Sequence, residues 1–467
     1  MAQITYDVGI IGGGPGGYTA AFRAAKYGLK TLLIEKEAKF GGTCLHVGCI
    51  PTKVLLFHAE LYDYFKRATE FGIECKGCSL DWAKIQARKQ QIVDRHARGL
   101  AALMKRNQVE TIQGFGRLKG GGVIEVETAK GKLELRARNI ILATGSSPRL
   151  LPGMEEDGER ILTNASVLAL EKRPKSMIVI GAGAVGVEFA SIYHSFGSEV
   201  TILEMLPRAL PLEDEEISAE FEKSFKKRGI RVLTNAFVQG AEKTATEVRV
   251  TFRNKEGKEQ TLTAETLLVA VGRKPNTRGL GLENTQAKLE NGYVQVNEWL
   301  ETAEAGLYAI GDIVAGLPQL AHAAAWEGLT AVGKIAGKNV PPIRKERIPS
   351  CIYCEPQVAS VGLSEQQARA AGYKVKLGKF PFLANSKASI LGQQQGFIKV
   401  VAEETAGKIL GVHIIGPQAT EVIAEAVAAL QLEATVDDLM AMVHAHPTLW
   451  EALADAFSAV RGLTTNI

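Results

Sequence analysis

No stretch of the 467 residues approaches the run of about 18 uninterrupted apolar residues that a membrane-crossing helix requires. An excess of one charge is also missing. Fifty-five basic against 51 acidic side chains leave a formal +4, and no segment concentrates that excess as a nucleic-acid-binding arm or a membrane-surface helix would. No nucleic acid and no membrane span are therefore expected. Cysteine is sparse, and its six copies fall in three close pairs, Cys44/Cys49, Cys75/Cys78 and Cys351/Cys354. In a reducing compartment such pairing suggests redox or metal chemistry before structural bridges. The segment Tyr6–Ile11 already reads as a buried strand, which leaves no room before it for a signal segment, and a cytoplasmic location is expected.

What is present points to a multidomain globular protein. At about 100 to 200 residues per domain the length suggests two to four domains. The 46% hydrophobic and 23% charged fractions are those of an ordinary globular chain. Glycine, with 48 copies, is the outlier.

Part of that glycine forms a repeated pattern. The apolar run Val8–Ile11 leads into Gly12, Gly14 and Gly17, and Leu32-Leu33-Ile34 then leads into Glu35. At a constant offset of 169 residues, Met177–Ile180 leads into Gly181, Gly183 and Gly186, and Val200–Leu203 into Glu204. In a G-x-G-x-x-G turn one glycine permits the tight strand-to-helix corner, one lets backbone approach a pyrophosphate, and one lets helix pack on strand. The carboxylate 18 residues after the last glycine is placed to accept hydrogen bonds from a ribose diol. Two matched copies imply two bound dinucleotides and electron transfer between them. Further strand-to-turn segments end at Thr144-Gly145, at Gly272-Arg273 and at Gly311-Asp312, where Asp312 is placed to bind another hydroxyl of the first nucleotide.

Between Glu35 and the next helix lies Gly41-Gly42-Thr43-Cys44-Leu45-His46-Val47-Gly48-Cys49-Ile50-Pro51-Thr52-Lys53. On an ideal helix, Cα atoms five residues apart are about 8.7 Å apart, beyond the roughly 7 Å limit for a disulfide. A bridge here needs distorted backbone, which Gly48 and Pro51 permit, and a strained bridge is readily reduced. Two free core thiols are the alternative reading of the same spacing.

The Gly-Gly-Thr-Cys44-x4-Cys49-Ile-Pro-x-Lys53 block, both fingerprints, Ala143-Thr144-Gly145, Gly311-Asp312 and the closing His444-Ala-His446-Pro447-Thr448-x-x-Glu451 together resemble the flavin-dependent disulfide reductases, from about residue 5 to 460. The resemblance implies an α/β protein with two Rossmann-like dinucleotide-binding domains and a C-terminal α+β dimerisation domain. Its expected divisions are 1–150, 151–275, 276–345 (completing the FAD site) and 346–467. It implies FAD on the first fingerprint, NAD on the second, and a homodimer. Cys49 would face the flavin, Cys44 would exchange with substrate, His446 would be the base and Glu451 its orienter. The same resemblance extends cofactor contacts to Gly42, Thr43, Lys53, Gly116, Thr144, Gly145, Ser146, Asp312, Leu320, Ala321 and His322 for the flavin, and to Glu188, Glu204, Val238 and Gly272 for the nicotinamide nucleotide. Lys53 and Glu188 resemble the family's ion pair beside the flavin ring. In the family the base acts on the partner chain's disulfide.

The substrate implied is a protein-bound dihydrolipoyl group, supplied by lipoyl-carrying proteins of 2-oxo acid dehydrogenase or glycine cleavage complexes. The Cys-Ile-Pro-Thr-Lys ending, the His-Ala-His-Pro-Thr-Leu tail and Glu204, which would repel a 2'-phosphate, favour it over a glutathione-reductase-like activity. Cys75-Lys-Gly-Cys78 and Cys351-Ile-Tyr-Cys354 have zinc-knuckle spacing. No metal is expected, because Cys351 and Cys354 would face opposite sides of one strand and the pairs fall in different domains. His444, His46, His58, His96, His194 and His413 are expected to be structural.

Overall fold

The computed structural model describes residues 5–74, 77 and 79–466. Cys75 and Cys78 lie outside them. The chain divides into two compact units, one comprising Met1–Val54, Ala83–Arg149 and Arg273–Lys345, the other Leu55–Trp82, Leu150–Gly272 and Glu346–Ile467.

The first unit is built on a seven-stranded sheet. Strand β1 (Thr5–Ile11) runs parallel to β2 (Thr31–Glu35) and to the long strand Gly131–Leu142, with Glu110–Gln113 and Leu307–Ala309 extending the parallel part. The long strand also closes an antiparallel meander with Val123–Thr128 and Phe115–Gly120. Helix α1 (Pro15–Lys26) starts directly after the first glycine turn. Burial is continuous along β2 and Leu307–Ala309 and covers the last three residues of Gly131–Leu142, and these stretches are mostly apolar, as parallel strands covered on both faces must be. Val8, Ile10 and Leu33 pack towards Ala20, Ala21 and Ala24 of α1, whereas Leu32 and Ile34 join Leu118, Ile124 and Val126 on the other side. Two short helices, α2 (Gly42–Val47) and α3 (Cys49–Lys66), follow β2.

The second unit repeats the parallel arrangement in the order Arg231–Leu233, Glu199–Leu203, Ser176–Ile180, Thr266–Val269, Ile161–Leu162. Its antiparallel meander, Phe237–Lys243 to Glu259–Ala264, forms a separate sheet. The closing part carries a five-stranded antiparallel sheet in which Phe397–Glu403 and Ile409–Gly416 lie side by side. Val400, Val412 and Ile414 of that sheet meet Val422 and Phe457 of the helices Ala419–Gln431 and Trp450–Val460.

One expectation is corrected. The strand holding Cys351 spans only Ser350–Ile352, so Cys354 lies beyond it and not on its opposite face. The Cys354 thiol is buried 3.3 Å from the Pro356 carbonyl oxygen. Among the described residues no group of three or more His, Cys, Asp or Glu side chains is arranged to hold a metal ion. No described helix is long and apolar enough to cross a membrane.

Candidate active site

Each glycine of the first fingerprint has a physical reason to be glycine. Gly12 sits at φ +111°, and a Cβ there would stand 2.2 Å from the Ala143 carbonyl oxygen. A Cβ at Gly17 would stand 1.9 Å from the Gly12 oxygen, where α1 crosses its own strand. Gly14 caps α1 with no side-chain hydrogen bond, and a Cβ there would meet nothing within 4 Å. The first amides of α1 thus face an open cradle, which suits a pyrophosphate. Gly181, Gly186 and Gly183 repeat these three conditions at the start of helix Ala184–Ser195, with approaches of 2.4 Å, 1.9 Å and none.

The two acidic residues are held alike. Glu35 accepts the Gly13 N–H at 2.6 Å and the Glu37 N–H at 2.9 Å, and Glu204 accepts the Ala182 N–H at 2.7 Å and the Leu206 N–H at 2.8 Å. Both carboxylates are therefore fixed by backbone before any nucleotide hydroxyl reaches them. The spacing in the sequence does not reveal this anchoring.

The redox block docks on the first fingerprint. Gly41 N–H donates to the Gly13 oxygen at 2.9 Å, and a Cβ on Gly42 (φ +57°) would stand 2.9 Å from the Gly14 Cα. The helix then breaks at Gly48, where a Cβ would lie 2.8 Å from the Thr43 oxygen, and α3 restarts with Cys49. The Gly48 carbonyl accepts both the N–H (3.1 Å) and the hydroxyl (2.7 Å) of Thr52. The expected backbone distortion is thus a break between two helices, with Cys44 on one and Cys49 at the start of the other. Both are half-buried. Hydrogen bonding with Cys49, burial and repulsion from a Cys49 thiolate push the Cys44 thiol well above its ordinary range, while Lys53 opposes the shift. Such a pair does not hold two negative charges together.

Asp312 lies not at the strand end but in the 3-10 turn Gly311–Ile313 that follows the strand Leu307–Ala309, and it accepts the Ser146 hydroxyl at 2.5 Å. Two residues outside the expected set complete this corner. Arg273 donates to the Ser146 side chain and carbonyl, both at 2.6 Å, and lies 3.7 Å from Asp312. Asn276 pins the Thr144–Ser147 turn through the Thr144 hydroxyl (2.8 Å), the Thr144 carbonyl (3.0 Å) and the Ser147 hydroxyl (2.7 Å). Arg273 closes the Gly272-Arg273 strand end, so its position had a sequence signal, but its hydrogen-bond partner Ser146 is 127 residues away. Tyr18 on α1 was also missed: burial, then the charges of Cys44 and Cys49, raise its phenol above the usual value. Gly116 is buried against Ile11, and Leu320 caps a helix, Ala321–Ile335, that begins at Ala321-His322 without a side-chain cap.

In the second unit, Glu188 is buried and accepts the Tyr353 N–H at 2.9 Å. Val238 lies at a register shift in its meander, and Gly272 adopts φ +99°. The closing loop separates the two histidines by chemistry. His446 is exposed, and its Nδ1 lies 2.8 Å from Glu451, whose other oxygen accepts the Thr448 N–H at 2.7 Å. Burial opposes the Glu451 charge, but the Thr448 amide and His446 hold the carboxyl below the usual range. An ionised Glu451 keeps a proton on Nδ1 and leaves the outward Nε2 as the acceptor. His444 instead is half-buried against Glu425 at 3.1 Å. His46, His194 and His413 each meet a backbone carbonyl, as structural histidines do.

The chain is similar to known proteins over nearly its whole length. Residues 6–328 match the pyridine nucleotide-disulphide oxidoreductase family, and residues 348–457 match the dimerisation domain of the same family. The chain is 47% identical over 467 residues to a dihydrolipoyl dehydrogenase of Bacillus subtilis, covering 98% of each chain. It is 40% identical over 457 residues to the mitochondrial dihydrolipoyl dehydrogenase of Pisum sativum, covering 97% of this chain and 91% of that one. Among solved structures, LpdA from Mycobacterium tuberculosis superposes with a TM-score of 0.90 at 30% identity, over 96% of this chain and 98% of the other.

Proposed function

The chain belongs to the pyridine nucleotide-disulphide oxidoreductase family, and from that premise we propose that it is a dihydrolipoyl dehydrogenase, an oxidoreductase whose cofactors are FAD and NAD. The observation that carries the reading is the Cys44/Cys49 pair, split across a helix break and docked on the first glycine turn. A dithiol so placed is the reduced half of a disulfide couple next to a dinucleotide cradle.

The reaction begins with the pair as a disulfide. His446, through its Nε2, takes a proton from a dihydrolipoyl thiol, because the thiolate is the nucleophile in disulfide exchange. Glu451 fixes the imidazole tautomer and stabilises the imidazolium. The thiolate attacks Cys44 and releases Cys49. The second substrate thiol, losing its proton to the released Cys49 thiolate, then displaces Cys44, which takes the proton held by His446, so that lipoyl disulfide and the protein dithiol remain. The dihydrolipoyl group has lost two electrons and the cysteines have gained them. Bound FAD supplies the relay that passes that electron pair from Cys49 to NAD+ as hydride.

The first fingerprint, Glu35, Thr144–Ser146 and Asp312 would hold FAD, and the second fingerprint with Glu204 and Gly272 the nicotinamide nucleotide. Lys53 and Glu188 would flank the flavin ring. The Glu204 carboxylate favours NAD+ over NADP+. The chain acts as a homodimer through residues 346–467, with each base serving its partner's disulfide. Residues 1–150, 151–275 and 276–345 form the other three functional divisions. The partners are lipoyl-carrying proteins of 2-oxo acid dehydrogenase or glycine cleavage complexes, and the location is cytoplasmic.

Cys44→Ser tests the reading. Lipoamide turnover should fall at least about a thousandfold, because the exchange has no substitute for its sulfur. FAD should remain bound, and electron transfer from NADH to an artificial acceptor should survive. Lipoamide turnover at the wild-type rate would overturn the assignment.

A further inference from the structure

Beneath the turn that presents Asp312 is a carboxyl group that the reaction above does not use. Glu327, on the helix Ala321–Ile335, is fully buried, and its Oε2 accepts the Gly311 N–H at 2.5 Å. Its Oε1 is buried as well and has no hydrogen-bond partner among the described residues. The helix lies tight against the fingerprint. A Cβ on Gly328 would stand 2.7 Å from the Gly16 oxygen, and one on Gly16 would stand 3.1 Å from the Ala324 oxygen.

A carboxyl buried with one oxygen unpaired is costly, and an apolar residue would fill the same space without that cost. Burial first, and then the neighbouring Asp312, push the group up to about 7 against the Gly311 bond. What the carboxyl offers in return is one contact. Gly311 sits at φ +73°, and its amide points at Glu327. Asp312 follows at once and is held on its other side by Ser146 and Arg273.

We propose that Glu327 is a positioning residue for the flavin nucleotide. By accepting the Gly311 N–H it fixes the Gly311–Asp312 turn, so that the Asp312 carboxylate meets a cofactor hydroxyl in one orientation. The inference rests on the reading of Asp312 as a contact to the FAD, and it adds a residue that touches neither cofactor nor substrate.

The test uses the intact holoenzyme, diluted below its unfolding temperature, with FAD release followed by the rise in free-flavin fluorescence. Glu327→Met removes the acceptor and keeps an unbranched chain of similar length. It should release FAD about tenfold faster and alter the visible circular dichroism of the bound flavin. Glu327→Ala, which removes the acceptor without filling the space, should also release FAD faster and stands in if the Met chain packs badly. Glu327→Gln keeps an oxygen for the Gly311 amide and should restore release to within about threefold of wild type. FAD release at the wild-type rate in the Met and Ala variants would overturn the proposal, and so would a Gln variant as fast as Met. Asp312→Asn separates the premise from the inference. Fast release in Asp312→Asn with wild-type release in Glu327→Met sinks only the Glu327 role, whereas wild-type release in Asp312→Asn removes the Asp312 reading beneath it.

Discussion

The two glycine-turn regions share the same backbone hydrogen bonds around their turns and differ in what surrounds them. In both, the turn glycine donates to the carbonyl before the acidic residue at 2.8 Å, Gly12 to Ile34 and Gly181 to Leu203. In both, the far strand closes on the turn through the same bond, Ala143 to Ile11 and Ala270 to Ile180, at 2.8 Å. After the second strand the likeness ends. The first region continues into Gly41-Gly42 and the cysteine-bearing helices, and the second into a loop and the helix Glu215–Arg228. That helix is capped by Asp214, itself locked to a buried Lys399 at 3.1 Å. The helix partners differ too: where the second region has buried Glu188, the first has Thr19 at the same offset. The repeated part is the glycine turn with its flanking strands, and the halves become chemically unlike both at this helix position and in the segments that follow.

The comparison is most strongly tested at its shared glycines. Gly17→Val and Gly186→Val each place side-chain atoms on the oxygen of the first turn glycine, 1.9 Å from the ideal Cβ. If the first cradle holds FAD and the second NAD, Gly17→Val should purify colourless and inactive. Gly186→Val should stay yellow yet lose NADH-dependent turnover by at least about a thousandfold, a barrier increase of roughly 4 kcal/mol. Flavin absorbance and steady-state rates decide this, and equal loss of colour in both would break the distinction.

A second experiment probes chemistry that neither cradle contains. His446→Gln should lower kcat/KM for dihydrolipoamide by about 10² to 10⁴, with cofactor binding intact. Glu451→Gln should cost less, since the imidazole survives and loses only its orienting charge. Because the Glu451 carboxyl is held below its ordinary value, its charge is present above the usual carboxylate range and is lost as pH falls through the depressed value. The wild-type acid limb should therefore not originate from Glu451 near neutral pH, and a neutral-pH limb that vanished only in Glu451→Gln would contradict this.

A smaller effect separates the two acidic residues. Glu204→Ala should reduce the preference for NAD+ over NADP+ by about 10- to 100-fold, the worth of a charged hydrogen bond of about 1.5 to 3 kcal/mol. Glu35→Ala should leave that preference unchanged and weaken FAD retention. Competition kinetics with both nucleotides would show a reversed assignment directly. The smallest expected change is a twofold one. A doubly tagged heterodimer of Cys44→Ser and His446→Gln chains should recover about half the wild-type rate if the base acts across the dimer, since one of its two sites is whole. Activity no higher than that of the parent homodimers would rule the shared site out.

Much of this was readable beforehand because it is local. Glycine spacing, apolar strands and the 169-residue offset depend on near neighbours in the chain, so the two turns and their flanking strands follow from residue type. The helix break at Gly48 was also foreseeable, since helix geometry alone separates two cysteines five apart. The antiparallel meanders were not. Val123–Thr128 and Val248–Arg253 are short and alternate in burial, and nothing local says which parallel sheet, if any, they join. Arg273 and Asn276 escaped notice because their partners at Ser146 and Thr144 are more than a hundred residues distant. Lys399 is the extreme case, a charge buried among Asp214, Glu216 and Glu365 that composition would have placed on the surface.

By itself the sequence determined that this chain has two dinucleotide turns, a paired-cysteine block and a histidine–glutamate tail, because each is a constraint within a few residues of backbone. Only the tertiary structure decided which carboxylates are anchored, which histidine is exposed for chemistry and which is paired with Glu425, and where a buried acid stands behind Asp312. Those outcomes depend on desolvation and on donors from distant segments, and burial exists only once the chain has folded.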